Sequence, residues 1–202
     1  MKDWTGNNKS VYTTLGASSH TEKERQKEDY YATDPKAVYR LLEVESFNKN
    51  IWECAVGGGH IAQVLIDSGY SVKASDIIDR GFPNTEIIDF LNSGGLFDSV
   101  TKFDGDIITN PPYKYAKEFV EKALEVIKDG NKVAMFLKIQ FLESEKRYGL
   151  FKDNPPKYVY VFTKRVSCAM NGDFNSYPSS AVCYAWYIWE KGYKEEPVIR
   201  WL

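Results

Sequence analysis

Ile51-Trp52-Glu53-Cys54-Ala55-Val56-Gly57-Gly58-Gly59-His60 is the stretch from which the rest of the chain is read. It opens as a short buried strand and breaks at a glycine turn. Ile61, Val64 and Leu65 then recur at helical spacing. Glycine accepts positive φ and lets a ligand come close to the main chain. A glycine run alone says little. Set between a strand and a helix, it reads as a nucleotide-type loop at the carboxyl end of a first strand, with Gly57 and Gly59 as candidate ligand residues. His60 reads as a first-turn helix residue rather than a catalytic base.

Moving towards the C-terminus, Gly69 closes that helix and Ser71–Asp76 forms a second strand ending in an acid. Asp76 lies 17 residues past Gly59. A carboxylate about 20 residues beyond such a loop can accept both hydroxyls of a ribose. A loop aspartate capping the next segment is the plainer alternative. Ile77 beside it suits the face of an adenine ring. Thr85–Leu91 reads as a third strand, bringing Asp89 and Phe90 to the same sheet edge.

Asp106-Ile107-Ile108-Thr109-Asn110-Pro111-Pro112-Tyr113 is the second informative stretch. Its apolar first half is a buried strand, with Phe103 before it. Prolines cannot continue a sheet ladder, and each restricts the residue before it, so the strand stops at Asn110. The stiff turn holds the Asn110 side-chain carbonyl, the Pro111 main-chain carbonyl and the Tyr113 ring in fixed relation. Two acceptors beside an aromatic face suit a planar guest carrying an NH2 group. Such a nitrogen is a poor nucleophile because its lone pair is delocalised. Acceptors on both protons enrich the nitrogen, and they stabilise the positive charge that grows as it attacks.

Composition narrows the alternatives. The 202 residues suit one domain with a sizeable core, and 43% hydrophobic with 15% aromatic content is globular. The net charge of −2 lacks the basic excess common in nucleic-acid binders, so any such contact must come from a local patch. Three scattered cysteines and two histidines predict neither a disulfide framework nor a metal site. No apolar run reaches membrane-spanning length and no signal-peptide core opens the chain, which predicts a cytoplasmic protein. Residues 1–29 are polar and read as a flexible N-terminal arm, alternatively one that orders over substrate. Residues 30–202 read as a single domain. Tyr30–Pro35 is a turn leading into a helix, with Asp34 as cap and Pro35 in the first turn. Ala116 to Ile127 keeps a helical period. Lys132–Leu137, Tyr158–Phe162 and Ala181–Trp189 read as further strands. Arg165–Ser180 is a long polar loop, either a substrate lid or an ordinary connection. Arg147 and Arg165 are candidate phosphate contacts.

Asn110-Pro111-Pro112-Tyr113 resembles the catalytic motif of S-adenosylmethionine-dependent amino-methyltransferases, above all the small phage-type adenine-specific DNA methyltransferases. The glycine loop resembles the first cofactor motif of class I methyltransferases. Tyr31-Ala32-Thr33-Asp34-Pro35 is similar to the aromatic-x-Thr-Pro stretch that touches the methionine end of the cofactor in that family, with Asp34 inserted. The order of these segments matches adenine methyltransferases whose cofactor half comes first. The resemblance runs from about Tyr30 to Trp189.

It implies a Rossmann-like class I methyltransferase fold of the α/β class. The sheet would be mostly parallel and seven-stranded, with helices on both faces and an antiparallel last strand. It implies S-adenosyl-L-methionine held by Tyr31, Thr33, Asp34, Glu53, Gly57, Gly59, Asp76, Ile77, Asp89, Phe90 and Asn110. Glu53 would lie near the amino-acid end, and Asp89 and Phe90 at the adenine. Asn110, Pro111, Pro112 and Tyr113 would be catalytic. The implied reaction is DNA methylation at the adenine amino group, with DNA binding and no metal. No room for a separate target-recognition domain is expected, so specificity would be low or come from a partner, a homodimer or the Arg165–Ser180 loop. RNA bases and the amide of protein glutamine carry the same kind of NH2 group and remain alternatives. A non-catalytic cofactor-fold scaffold that binds nucleic acid or a partner is the alternative of another class.

Overall fold

The computed structural model describes residues 30–93, 102–170 and 182–202. The expected N-terminal arm, and residues 171–180 of the expected lid, lie outside the described residues. In chain order the elements are β1 (Tyr31–Thr33), α1 (Pro35–Val44), β2 (Asn50–Glu53), α2 (His60–Asp67), β3 (Ser71–Asp76) and β4 (Glu86–Ile87). Then come β5 (Asp106–Thr109), α3 (Ala116–Val126), β6 (Lys132–Lys138), α4 (Tyr148–Asp153), β7 (Tyr158–Val161), β8 (Cys168–Met170), β9 (Tyr184–Glu190) and β10 (Val198–Trp201).

Eight strands form the main sheet in the order β10-β7-β9-β6-β5-β2-β3-β4. The alternation of side chains in its central strands builds a core on each face. Val133, Met135 and Leu137 of β6, with Tyr187 and Trp189 of β9, pack on one face under Phe119, Val120, Ala123 and Leu124 of α3. Ala134 and Phe136, with Trp186 and Ile188, face the other way against Ala37, Val38 and Leu41 of α1 and Ile61, Val64 and Leu65 of α2. The apolar stripes read from the sequence for α2 and α3 are these buried faces. Polar atoms within the cores are paired: Trp186 Nε1 donates to Ala37 O at 2.9 Å, and Trp52 Nε1 to Ser75 Oγ at 2.8 Å. Asp106, 2% exposed, opens β5 by accepting from the main-chain N–H of Asn48 at 2.6 Å and of Lys132 at 2.7 Å.

Four details differ from the sequence reading. The sheet has eight strands, not seven. Its antiparallel member, β9, is not last: it lies between β6 and β7, antiparallel to both, and β10 follows it in parallel with β7. Val198–Trp201 is an exposed edge strand, so it shows no buried apolar run. Tyr31–Thr33 is not a turn but a strand, paired antiparallel with β8 in a separate two-stranded sheet. The segment Thr85–Leu91 forms only the two-residue strand β4, after which Asp89 and Phe90 lie in irregular chain.

The topology creates the site. The chain proceeds outward from β2 through β3 to the edge at β4, then returns to β5 on the other side of β2. Ligands in open α/β sheets bind beyond the carboxyl ends of strands at such a reversal. β2 and β5 pair in parallel, with Ile51 opposite Asp106 and Trp52 opposite Ile107. Their following segments, the glycine turn and Asn110-Pro111-Pro112, therefore emerge side by side.

Candidate active site

A cavity of about 490 Å³ opens at this reversal and is walled by the turn after β2, the end of β3, residues 88–92 and the proline turn. Tyr31, Thr33, Asp76, Ile77, Asp89, Phe90, Asn110, Pro111, Pro112 and Tyr113, all singled out from sequence, line it. Asp34, Glu53, Gly57 and Gly59 do not contribute to its lining. For Asp34, Gly57 and Gly59 the local reason is identifiable.

Asp34 caps α1, its Oδ1 accepting from Lys36 N at 2.9 Å. Gly57 and Gly59 have φ of +54° and +82°, the left-handed region that favours glycine. Their open faces are covered by protein. A Cβ on Gly57 would lie 2.2 Å from Tyr30 Cε2, and one on Gly59 would lie 1.9 Å from Phe82 Cδ2. The close approach that the glycines permit is made here by aromatic rings. Tyr30 is held there by the Gly58 N–H, which donates to its hydroxyl at 2.9 Å, and by the Arg80 guanidinium 4.7 Å from its ring centre. Its hydroxyl also lies 3.4 Å from His60 Nδ1. His60 begins α2 and lines the cavity, and burial lowers its pKa. Among the described residues no cluster of His, Cys, Asp or Glu suits a metal ion.

The carboxylates at the rim are partly occupied with shaping the chain. Asp76 accepts from Gly57 N at 2.8 Å and Ile78 N at 3.2 Å, which locks the glycine turn to the end of β3. Asp89 accepts from Leu91 N at 3.1 Å and from Asn92 Nδ2 at 2.6 Å. A carboxylate offers about four acceptor directions, so both retain capacity for a ligand hydroxyl or amine. Phe90 is 2% exposed, wedged against Trp52 and Phe119 at centroid distances of 5.2 and 5.1 Å. It forms cavity wall and core at once.

The proline turn is organised by the small β1–β8 sheet. Asn110 Nδ2 donates to Tyr31 O at 2.8 Å and lies 3.8 Å from Cys168 Sγ. That donation fixes which end of the amide is which: Oδ1 is the buried end, and it has no partner. Tyr113 begins a 3-10 turn, and its hydroxyl reaches Cys168 Sγ at 3.3 Å. The Tyr113 ring lies 6.4 Å from that of Tyr31 at an interplanar angle of 21°, with Tyr184 on another side at 6.1 Å.

Buried polar atoms without partners cost roughly 1–3 kcal/mol each, so their positions are informative. Among the described residues they are Thr33 Oγ1, Glu53 Oε2, Thr109 Oγ1, Asn110 Oδ1 and Asn131 Nδ2. All but the last belong to β1, to the ends of β2 and β5, and to the residue that follows β5. Glu53 is 1% exposed, and burial pushes its carboxyl up to about 8, against the opposing pull of the Ala55 N–H, which donates to Oε1 at 3.3 Å. Such a constellation fits a cationic, hydrogen-donating group.

Cys168, Tyr30 and Tyr184 are site residues that the sequence reading missed. Cys168 and Tyr184 lie in segments read as loop and as generic strand. Tyr30 carried a signal, its place next to Tyr31, but nothing local pairs it with a glycine turn 28 residues away.

No protein-family model matches the sequence, and no curated protein matches it either. Similarity appears in three dimensions. A candidate class I S-adenosylmethionine-dependent methyltransferase from Listeria monocytogenes superposes with a TM-score of 0.54 at 15% identity, over 82% of this chain and 62% of that one. A predicted O-methyltransferase from Agrobacterium tumefaciens gives 0.60 at 14% identity, over 83% and 85%. The modification subunit of a candidate type I restriction enzyme from Vibrio vulnificus gives 0.57 at 11% identity, over 85% of this chain and 46% of that subunit. The chain thus spans about three fifths of the Listeria protein and under half of the Vibrio subunit. The fold is the Rossmann-like class I methyltransferase fold.

Proposed function

We propose that the protein is an S-adenosylmethionine-dependent methyltransferase acting on the exocyclic amino group of adenine in DNA. The observation that carries this reading is Asn110 Oδ1. It is a buried acceptor without a partner, its amide oriented by the Tyr31 carbonyl, beside Pro111 and Tyr113 on the wall of a nucleotide-sized cavity. An acceptor held in this way costs stability in the free protein and is suited to an N–H donor from a ligand.

The residues present fit S-adenosyl-L-methionine. Thr33, which lines the cavity, and Glu53, buried behind that lining in the free protein, would take the ammonium of its amino-acid end. Asp76 would take the ribose, and Asp89, Ile77 and Phe90 the adenine. The cofactor, when bound, supplies an electrophilic methyl group on a sulfonium. This chain's residues do the remainder. A target adenine in duplex DNA must leave the stack to be reached. Tyr113 offers it a ring face, a contact worth roughly 1–3 kcal/mol per base. Asn110 Oδ1 and the Pro111 carbonyl accept from the two amino hydrogens, which aligns the nitrogen lone pair and stabilises the charge that develops there. The pocket contains apolar wall from Phe90, Phe119 and Pro111, which excludes water from the reacting atoms. Target choice falls to a partner, a second subunit or the Arg165–Ser180 segment.

Incubation with methyl-labelled cofactor and separate pools of DNA, RNA and protein tests the proposal. Label in DNA, recovered as N6-methyladenine, is expected. Label only in RNA or at glutamine would move the substrate while keeping the chemistry. Cofactor binding without label in any pool would favour a non-catalytic scaffold.

A further inference from the structure

Tyr113 also borders a second recess, of about 150 Å³, beyond the carboxyl end of β6, where Lys138, Gln140, Phe141 and Arg147 meet Leu137 and Ala116. Lys138 Nζ lies 4.9 Å from the centre of the Tyr113 ring. Arg147 is held far more firmly than a surface arginine. Its Nε donates to Phe141 O at 2.8 Å, its Nη2 donates to Gln140 O at 3.1 Å and to Glu143 O, and its guanidinium lies 4.7 Å over the Phe141 ring. All these partners are neutral. Among the described residues neither Lys138 nor Arg147 forms an ion pair. Two uncompensated positive charges therefore share one recess with an aromatic floor, in a chain whose net charge is −2. Main-chain carbonyls position Arg147 but leave its charge intact, and its Nη1 donors carry no bond among the described residues.

We propose that this recess seats a phosphodiester group of the acceptor strand, next to the nucleotide whose base lies on Tyr113. The proposal rests on the adenine-methyltransferase reading and narrows it, because a glutamine amide in a protein brings no such anion. Arg147 supplies a preorganised guanidinium and Lys138 a point charge, the two ways in which proteins hold phosphate. Contacts of this kind fix register on the strand without reading its sequence. They also supply the local positive patch that the overall composition lacks.

The test is fluorescence anisotropy with labelled duplex DNA, single-stranded DNA and RNA of one sequence, over a sodium chloride series. The proteins are the full chain and its Lys138→Gln, Arg147→Lys and Lys128→Gln variants. Lys128 pairs with Asp104 well away from the recess and serves as the charge control. Loss of one phosphate contact makes the slope of log affinity against log salt shallower by about 0.9 on duplex and about 0.7 on single strands. Lys138→Gln is expected to show that change and several-fold weaker binding, with cofactor affinity and melting temperature as in the parent. Arg147→Lys keeps the charge but loses the fork, so affinity falls while the slope holds. Lys128→Gln should match the parent. Whichever of the three nucleic acids shows the slope change identifies the source of the phosphate. A Lys138→Gln slope equal to the parent's on all three, in a protein that methylates DNA, overturns the recess and leaves the catalytic reading standing. Methyl transfer to protein glutamine alone overturns both.

Discussion

Glu53 offers a prediction that can be followed through quantitatively. Its carboxyl is 1% exposed, one of its oxygens has no partner, and burial raises it from an ordinary 4.5 to about 8. In the free protein at pH 7 it is therefore mostly protonated. If it receives the cofactor's ammonium, it must ionise to do so, and binding releases a proton. Each pH unit below 8 then costs about 1.4 kcal/mol, or tenfold in affinity. Affinity is expected to rise about tenfold from pH 6 to pH 7. It should level off near pH 8, where an α-amino group itself begins to lose its proton. Titration calorimetry at pH 6.5 in two buffers of different ionisation enthalpy should count close to one proton released. In Glu53→Gln, affinity falls and both the acid limb and the proton release vanish. The stability linkage has the opposite sense. A carboxyl whose folded pKa is raised contributes stability that is complete below 4.5 and is lost as pH rises through 8. The loss is on the order of 5 kcal/mol once the group is fully ionised. Glu53→Gln should therefore melt several degrees higher than the parent at pH 8 and alike at pH 4.5. Cofactor affinity that is flat from pH 6 to pH 7.5, or that keeps its acid limb in Glu53→Gln, refutes this account of the buried carboxyl.

Further expectations follow from the site's geometry. Asn110→Ala removes one of two acceptors aimed at developing charge, so single-turnover methyl transfer should fall by about 10²–10³, with cofactor affinity within a few-fold by calorimetry. Tyr113→Ala should weaken acceptor binding by roughly 1–3 kcal/mol in filter-binding or anisotropy assays, whereas Tyr113→Phe keeps the ring and loses the hydroxyl contacts with Cys168 and Tyr184. Gly57→Ala places a Cβ 2.2 Å from Tyr30 Cε2 at a φ of +54°. It should lower the urea midpoint by the equivalent of about 1–2 kcal/mol and displace Tyr30, seen as a change in tyrosine fluorescence.

Much of the fold was readable in one dimension because its signals are local. The two-faced burial of β6 and β9, the helical stripes of α2 and α3, and the stops at Gly69 and Pro111 are properties of neighbouring residues. Strand-and-stop patterns were enough to place Asp76 at the end of β3 and Asn110 just after β5, whereas Asp89 lies in irregular chain past β4. Less legible were elements whose existence depends on a distant partner. β1 is a strand because β8 lies beside it, and β10 is a strand because β7 offers an open edge. β9 enters between β6 and β7, a choice that no run of side chains announces.

The amino-acid order alone determined which chemical groups would arrive at the carboxyl edge: three carboxylates, an amide, a carbonyl before a second proline, and aromatic rings. Tertiary structure decided what each of them is free to do. It spent part of Asp76 on the glycine turn, and it laid Tyr30 over Gly57. It turned the Asn110 amide by a bond from Nδ2 to a main-chain carbonyl 79 residues away, which left Oδ1 buried and unpartnered. The reason is physical. Backbone periodicity and turn chemistry act over a few residues, whereas the partner and burial of a polar atom are set by whichever segments the packed sheet brings against it.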